Sequence, residues 1–446
     1  MGMIPDMTTL RPRRLLPAAT LLALSTTLAA CTSASEPAEP SGARADSSGA
    51  PSNSADAAAD GSEAPATVEQ RAATPRLVAT YDGGLLVLDS GTLETVADIP
   101  LDGFARVNPA GDGRHVAVST EGGFRLLDAG TWTEPHGDHS HHYTSAPTLT
   151  DAGVDAGTPG HVVVHDGKTA FFDDGSGLAT VVASDSVADE VAQRRALESE
   201  SPHHGVAVAF DDGEVVSTLG DPDSRTGAIA RDASGEETAR TEECPGVHGE
   251  AAARDAIVLG CTDGALIYSG GDFTKVDAPD DYGRLGNLAG SPASEVVLGD
   301  YKVDEEAELE RPTRVALVDT EQATLRLVDL PASYSFRSLG RGPDGEALVL
   351  GTDGALHVID PGTGELTRSL DVVEPWTEPT DWKEPRPTLY VQDGSAYVSD
   401  PANARLVAVD LDTLTVGAET TLPHATDEVT GVSGGASGDG TRGGGH

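Results

Sequence analysis

The sequence predicts an all-β protein, a β-propeller, on three observations. An apolar strand followed by an Asp and a Gly or Thr turn recurs along the chain. Asp-Gly turns fall between these units, and no stretch of the mature chain reads as a long amphipathic helix.

The first recurring element appears at Leu85 to Thr92, Phe124 to Thr131, Val315 to Thr320, Leu356 to Thr363 and Leu406 to Thr413. In each, the Asp carboxylate bonds its own downstream backbone and the Gly or Thr completes the turn, which makes a hairpin. Asp-Gly between apolar runs is a hairpin signal too, and it recurs at Asp82, Asp166, Asp212, Asp263, Asp353 and Asp393. Equivalent turns at Asp89 and Asp128 are 39 positions apart, and those at Asp319 and Asp360 are 41 apart. That matches a four-stranded propeller blade of roughly 40 to 50 residues.

Units begin near Pro75, Phe104, Ser145, His203, His248, Gly283, Tyr334 and Pro387, which gives eight blades; a count of seven also fits. The first unit lacks an inner strand before Pro75, and a spare strand, Asp427 to Val432, follows the last. That strand is expected to complete the first blade and close the ring, which leaves only short protected edges.

Residues 1–30 read as a secretion signal, with basic Arg11, Arg13 and Arg14 before an apolar run from Leu15 to Ala30. The run is interrupted by Pro17 and falls short of the roughly 20 apolar residues of a spanning helix. Met7 is an alternative start. The run ends in Leu28-Ala29-Ala30-Cys31, which resembles the lipobox of bacterial lipoproteins and implies lipidation at Cys31. The expected place is therefore the cell envelope, anchored by lipid to the outer face of the cytoplasmic membrane.

Residues 31–74, rich in Ser, Ala, Pro, Glu, Asp and Gly, cannot bury enough apolar surface to offset ordering entropy. They are expected to be a tether whose coil spans roughly 35 Å. Residues 75–433 are assigned to the propeller, and 434–446 to a disordered Gly-rich tail in which His446 has no role.

The net charge of -44 argues against nucleic acid and against direct adhesion to anionic lipid. Membrane contact is then through the lipid anchor alone, and the protein is expected to be a monomer. With Cys31 acylated, Cys244 and Cys261 are left to pair as a disulfide in an oxidising compartment. A zinc–thiolate role is the alternative, although neither lies in a CxxC.

The 13 histidines carry the chemistry, and they cluster in the first half of the ring. The densest group is His136, Asp138, His139, His141 and His142, in a polar segment read as a flexible loop. Neutral imidazole suits Zn(II), so such a loop can supply two or three ligands. Pro202-His203-His204-Gly205 and Val247-His248-Gly249-Glu250 repeat His-Gly just before or at the inner strands of consecutive blades, where both can reach one ion. His161 and His165 belong to the preceding blade, and of these His165, beside the Asp166-Gly167 turn, joins the metal set. His115, His357 and His424 stand singly and read as structural.

Together these residues resemble the AztD family of periplasmic zinc metallochaperones, propellers associated with a zinc ABC transporter. The resemblance covers most of the mature chain. It rests on the His136 to His142 segment, His161 to Phe172 with Asp173 to Gly177 behind it, Pro202 to Val208, and Cys244 to Ala251 leading to Gly260 to Gly264. It implies that the protein binds Zn(II) and passes it to the extracytoplasmic zinc-binding protein of the transporter. A buried histidine site would hold the ion, with the His136 to His142 loop offering substitute ligands during exchange. The lipobox and long tether depart from the freely soluble form of the family.

Two rivals are a propeller scaffold and a metal-dependent propeller hydrolase or quinoprotein. No His-Glu-x-x-His occurs, and Trp132, Trp376 and Trp382 are not spaced one per blade as a planar cofactor would need. The chain is therefore not expected to be an enzyme.

Overall fold

Eight four-stranded antiparallel sheets follow one another along the chain in the computed structural model, which describes residues 66–189 and 192–435. Helix is confined to two short 3-10 turns, Ser184–Ser186 and Pro401–Asn403, and no described helix is long and apolar enough to cross a membrane. The lipobox Cys31, the signal segment, most of the expected tether and His446 lie outside the described residues.

Sheet 1 runs Thr426–Val432, Arg76–Tyr81, Gly84–Asp89, Thr95–Pro100. Sheet 2 runs Arg106–Pro109, His115–Thr120, Gly123–Asp128, Thr148–Asp155. Sheet 3 is Pro159–His165, Lys168–Asp173, Leu178–Ala183, Arg195–Glu198, and sheet 4 is Ala207–Ala209, Val215–Gly220, Arg225–Arg231, Glu237–Thr241. Sheet 5 is His248–Ala252, Ile257–Cys261, Asp263–Ser269, Asp272–Asp277, with the two-residue strand Gly283–Arg284 added in parallel to its third. Sheet 6 is Leu288–Ala289, Val296–Asp300, Arg314–Asp319, Thr324–Asp329. Sheet 7 is Leu339–Arg341, Ala347–Leu350, Ala355–Ile359, Leu366–Asp371, and sheet 8 is Leu389–Gln392, Ser395–Asp400, Arg405–Asp410, Thr415–Thr421.

The turn chemistry follows the sequence. Asp89 Oδ1 accepts from the Gly91 and Thr92 amides, Asp360 Oδ1 from Thr363 N at 2.8 Å, and Asp410 Oδ1 from Thr413 N at 2.8 Å. Asp166 and Asp393 take φ of 45° and 51°, as the first residue of a tight hairpin turn requires.

Apolar runs, rather than strict alternation, mark the inner strands because both faces of each sheet are covered. Leu85 and Val87 pack with Val107, Val116 and Val118 of sheet 2, whereas Leu86 and Leu88 pack with Tyr397 and Leu406 of sheet 8. The same kind of apolar layer joins every consecutive pair of sheets from 1 to 8. Fourth strands lie at the surface, and Thr95–Pro100 alternates between exposed and half-buried.

Thr426–Val432 pairs antiparallel with Arg76–Tyr81, with Val429 opposite Ala79 and Val432 opposite Arg76. This strand carries a buried acidic pair. Glu428 accepts from Arg106 Nε at 2.7 Å, Arg337 Nη2 at 2.9 Å and the Val107 amide at 3.1 Å, while Asp427 pairs with Arg337. Burial pushes both carboxyls up. For Glu428, Arg106 and Arg337 outweigh burial and hold it at about 2; Asp427 stays raised, at about 6.

Three expectations change. The segment Thr131–Thr144 is a β-hairpin, Thr131–His136 with His139–Thr144, and not a flexible loop. Val68–Gln70, inside the expected tether, forms the third strand of that small sheet. Thr148–Asp155, read as opening the third unit near Ser145, is instead the outer strand of sheet 2. Composition hid all three, because polar strands at an edge carry little apolar signal.

Glu428→Gln should lower the unfolding free energy by about 2–3 kcal/mol at neutral pH, since a buried charged partner of two arginines is lost. A carboxyl depressed in the folded state contributes stability above its unfolded value near 4.5 and loses it as pH falls toward 2. The gap between wild type and variant in denaturant titrations should therefore narrow below about pH 4.5.

Candidate metal centre

Two groups of three histidines among the described residues can hold a metal ion: His161, His204 and His248, and His136, His139 and His141. In each group the ligand atoms all lie within 4.8 Å of one another.

The first group is assembled from three consecutive sheets. His161 stands near the start of Pro159–His165, His204 lies just before Ala207–Ala209, and His248 opens His248–Ala252. Ring centroids are 5.1 Å (His161 to His204), 5.6 Å (His161 to His248) and 5.0 Å (His204 to His248) apart. Each Nδ1 faces an acceptor. His204 Nδ1 is 2.5 Å from Asp174 Oδ2, His248 Nδ1 donates to Gly286 O at 2.6 Å, and His161 Nδ1 is 3.3 Å from Glu250 Oε2.

The Nδ1 bonds of His204 and His248 fix the tautomer that leaves Nε2 free to ligate, the usual arrangement around bound zinc. Burial, together with the nearby His161, His204 and Arg284, pushes His248 well below the ordinary imidazole range, so it stays neutral. Neutral imidazole is the ligating form. Glu250 is 2% exposed, and neither carboxylate oxygen has a hydrogen-bond partner. Burying a carboxylate is costly, and a cation held by His161, 3.3 Å away, would help offset that cost.

The His-Gly repeat has a packing cause. Gly249 has φ of 71° at a bulge in its strand, and a side chain there would strike Gly286 O, the atom that holds His248. At Gly205 a Cβ would meet the rings of Phe172 and His203.

The second group sits on the hairpin. Residues paired or two apart share a face, so Glu69, Trp132, Glu134, His136, His139, His141 and Tyr143 lie together. His139 Nε2 and His141 Nε2 are 3.1 Å apart. Two nitrogens on one tetrahedral zinc, each bonded at about 2.0–2.1 Å, would be about 3.3 Å apart. His141 Nδ1 bonds Glu69 Oε1 at 2.7 Å and His139 Nδ1 lies 3.2 Å from Asp138 Oδ1.

Other residues expected at the metal lie elsewhere. His203 points into sheet 4, with Nε2 2.9 Å from Thr218 Oγ1 and Nδ1 donating to Ser201 O at 2.9 Å. His165 is at the far end of the strand that carries His161, its ring edge-on to Phe210. His142 is on the opposite hairpin face, bonded to Thr133 Oγ1 at 2.8 Å. Asp138 stands behind His139 and is not one of the three grouped ligands. His161 was not in the expected metal set; the strand pattern His161-Val-Val-Val-His165 puts both rings on one face, and only the strand end separates them. His115, His357 and His424 bond Asp112, Ser369 and Asp98 respectively.

The two groups lie at opposite strand ends. The hairpin touches Thr74 and Gly434 through Thr131 and Thr133, and Gly434 N bonds Gly113 O, just past the first strand of sheet 2. The end of His165's strand packs there too, since Val164 neighbours Gly111 and Thr169 bonds Ala110 O. His161 lies four residues back along that strand, about 13 Å from His165. The hairpin thus stands on the His165 side of the sheets, and its histidines form a group separate from His161, His204 and His248.

Cys244 and Cys261 form a disulfide, with Cα atoms 5.0 Å apart, just ahead of His248.

Over 347 residues, 75% of this chain and 80% of the relative, the sequence is 28% identical to the zinc chaperone AztD of Citrobacter koseri. The crystal structure of Citrobacter koseri AztD aligns with a TM-score of 0.71 at 25% identity, covering 81% of this chain and 98% of that one. Its apo structure aligns with a TM-score of 0.68 at 25% identity, covering 81% and 99%. The dihydro-heme d1 dehydrogenase NirN shares the fold at a TM-score of 0.50 and 11% identity, covering 80% of this chain and 74% of its own. No family model matches the chain.

Asp174→Asn should weaken zinc binding 10- to 100-fold, as loss of a partner behind a ligating histidine does, with the far-ultraviolet spectrum unchanged. Isothermal titration checks this; equal affinity would mean that Asp174 does not position His204. Replacing both Cys244 and Cys261 by Ser should cost about 3 kcal/mol in denaturant unfolding, the value for a closed loop of this size.

Proposed function

We propose that this protein is an exported zinc metallochaperone that holds Zn(II) at His161, His204 and His248 and hands it to the extracytoplasmic solute-binding protein of a zinc ABC transporter. The observation that carries this reading is the convergence of three imidazoles, two of them held at Nδ1 by Asp174 and Gly286 O and the third 3.3 Å from the buried Glu250 carboxylate. The relative it matches is a zinc chaperone, not an enzyme. His136, His139 and His141 form a second, more exposed zinc site that loads independently.

The eight sheets form an eight-bladed propeller closed by Thr426–Val432. The apolar layers between consecutive sheets, including the layer between sheets 8 and 1, support that closure. Lipidation at Cys31 holds the protein at the outer face of the cytoplasmic membrane, which raises the concentration of donor near acceptor. A scaffold role would explain the fold and the anchor but leaves both histidine groups without a purpose.

Zinc leaves by ligand exchange, one imidazole at a time being replaced by a donor of the acceptor. His204→Ala combined with His248→Ala should abolish the tighter of two zinc-binding events in calorimetry and leave the fold intact, whereas His203→Ala should keep that event. A wild-type protein that stays metal-free in micromolar zinc would sink the reading. In a transfer assay, zinc should reach the acceptor without being intercepted by a competing chelator; interception would rule out direct exchange.

A further inference from the structure

Two arginines beside the first histidine group form no ion pair. Arg225 opens the third strand of sheet 4, and Arg284 lies in the short strand Gly283–Arg284; both are half-buried. Among the described residues, neither guanidinium forms an ion pair; other arginines without one, such as Arg195, Arg326 and Arg341, donate to backbone carbonyls instead.

Their position is defined by the site. The Arg284 guanidinium lies flat over Gly286, where a Cβ would fall 2.7 Å from Cζ. Gly286 O is the acceptor for His248 Nδ1, so Arg284 borders His248 directly. Arg225 senses both the Arg284 charge and Asp174, the carboxylate behind His204. Both cations thus flank the ligand cluster on the His204 and His248 side.

We propose that Arg225 and Arg284 form a seat for an exogenous carboxylate that completes the coordination of the ion held by His161, His204 and His248. The inference rests on the zinc reading. Three nitrogens leave one position of a tetrahedral ion open. The protein's own carboxylates do not fill it, since Asp174 is bonded to His204 Nδ1 and neither it nor Glu250 belongs to the group of converging ligand atoms. A divalent ion and two guanidiniums outweigh those two carboxylates, so the vicinity is net positive once loaded. A carboxylate with one oxygen on the ion and the other on a guanidinium fork satisfies both. It can come from a small carboxylate or from an acidic side chain of the protein that takes the ion.

The test uses the full-length chain loaded with Co(II), whose visible bands report the fourth ligand, titrated with acetate at constant ionic strength. Wild type should show a saturable band shift, and Arg225→Gln and Arg284→Gln should each weaken the acetate response at least tenfold while Co(II) still binds. No response in wild type, or an equal response in both variants, overturns the seat. Failure to bind Co(II) at all overturns the metal reading instead. Transfer to the acceptor then identifies the source: if saturating acetate and both substitutions slow it, the seat takes the acceptor's carboxylate, and if transfer is unchanged, it takes a small one.

Discussion

The spacing between the first strands of neighbouring sheets governs what this chain can do. It is set by apolar layers about 10 Å thick, such as that of Phe172, Ala207 and Val215 between sheets 3 and 4 and that of Val208, Val216 and Ile257 between sheets 4 and 5. Interiors packed in this way do not deform continuously. Three side chains from three different sheets therefore meet at fixed distances, although 87 positions of sequence separate His161 from His248. No local segment has to be held in an unfavourable conformation to achieve this, apart from the bulge at Gly249.

Packing alone would leave the imidazoles free to rotate, and the polar shell behind them removes that freedom. Asp174 follows the second strand of sheet 3, Gly286 precedes sheet 6, and Glu250 sits two residues beyond His248 on its own strand. Each contributes one acceptor to one ring. The buried Glu250 carboxylate lies 3.3 Å from His161, so a cation on that ring would sit close to an acidic side chain. Charge inside the shell and charge outside it have different jobs. The acidic surface attracts cations without discrimination, whereas the ordered nitrogens choose among them by geometry and ligand type.

Much of the strand framework was legible because its signals are local. An Asp that bonds amides two or three residues on writes its turn into the sequence, as at Asp89 and Asp360. Apolar runs reported sheets covered on both faces. The site was legible only as a neighbourhood. Adjacent His203 and His204 point to opposite sides of the chain, and which side faces the cluster depends on register that only the neighbouring sheet supplies. His161 and His165 share a face and differ by strand end. Glu250 carried no metal signal in sequence, because its meaning lies in having no hydrogen-bond partner once buried. The hairpin was read as a loop since His, Asp and Gly are poor strand formers; its pairing with Val68–Gln70 is a tertiary contact that composition does not announce.

That pairing decides how the chain upstream meets the sheets. Val68–Gln70 adds to the hairpin edge through three residue pairs, and Glu69 reaches His141 from it. Any pull on the segment before Val68 is therefore borne first by the hairpin, at the strand ends remote from His161, His204 and His248. A metal ion at His136, His139 and His141 would tighten the face on which Glu69 lies, since Glu69 orients one of its ligands. The His161, His204 and His248 cluster is separated from both by the strands and the layers between them. The two histidine groups thus occupy different ends of the strands, and the ordered sheets hold them apart.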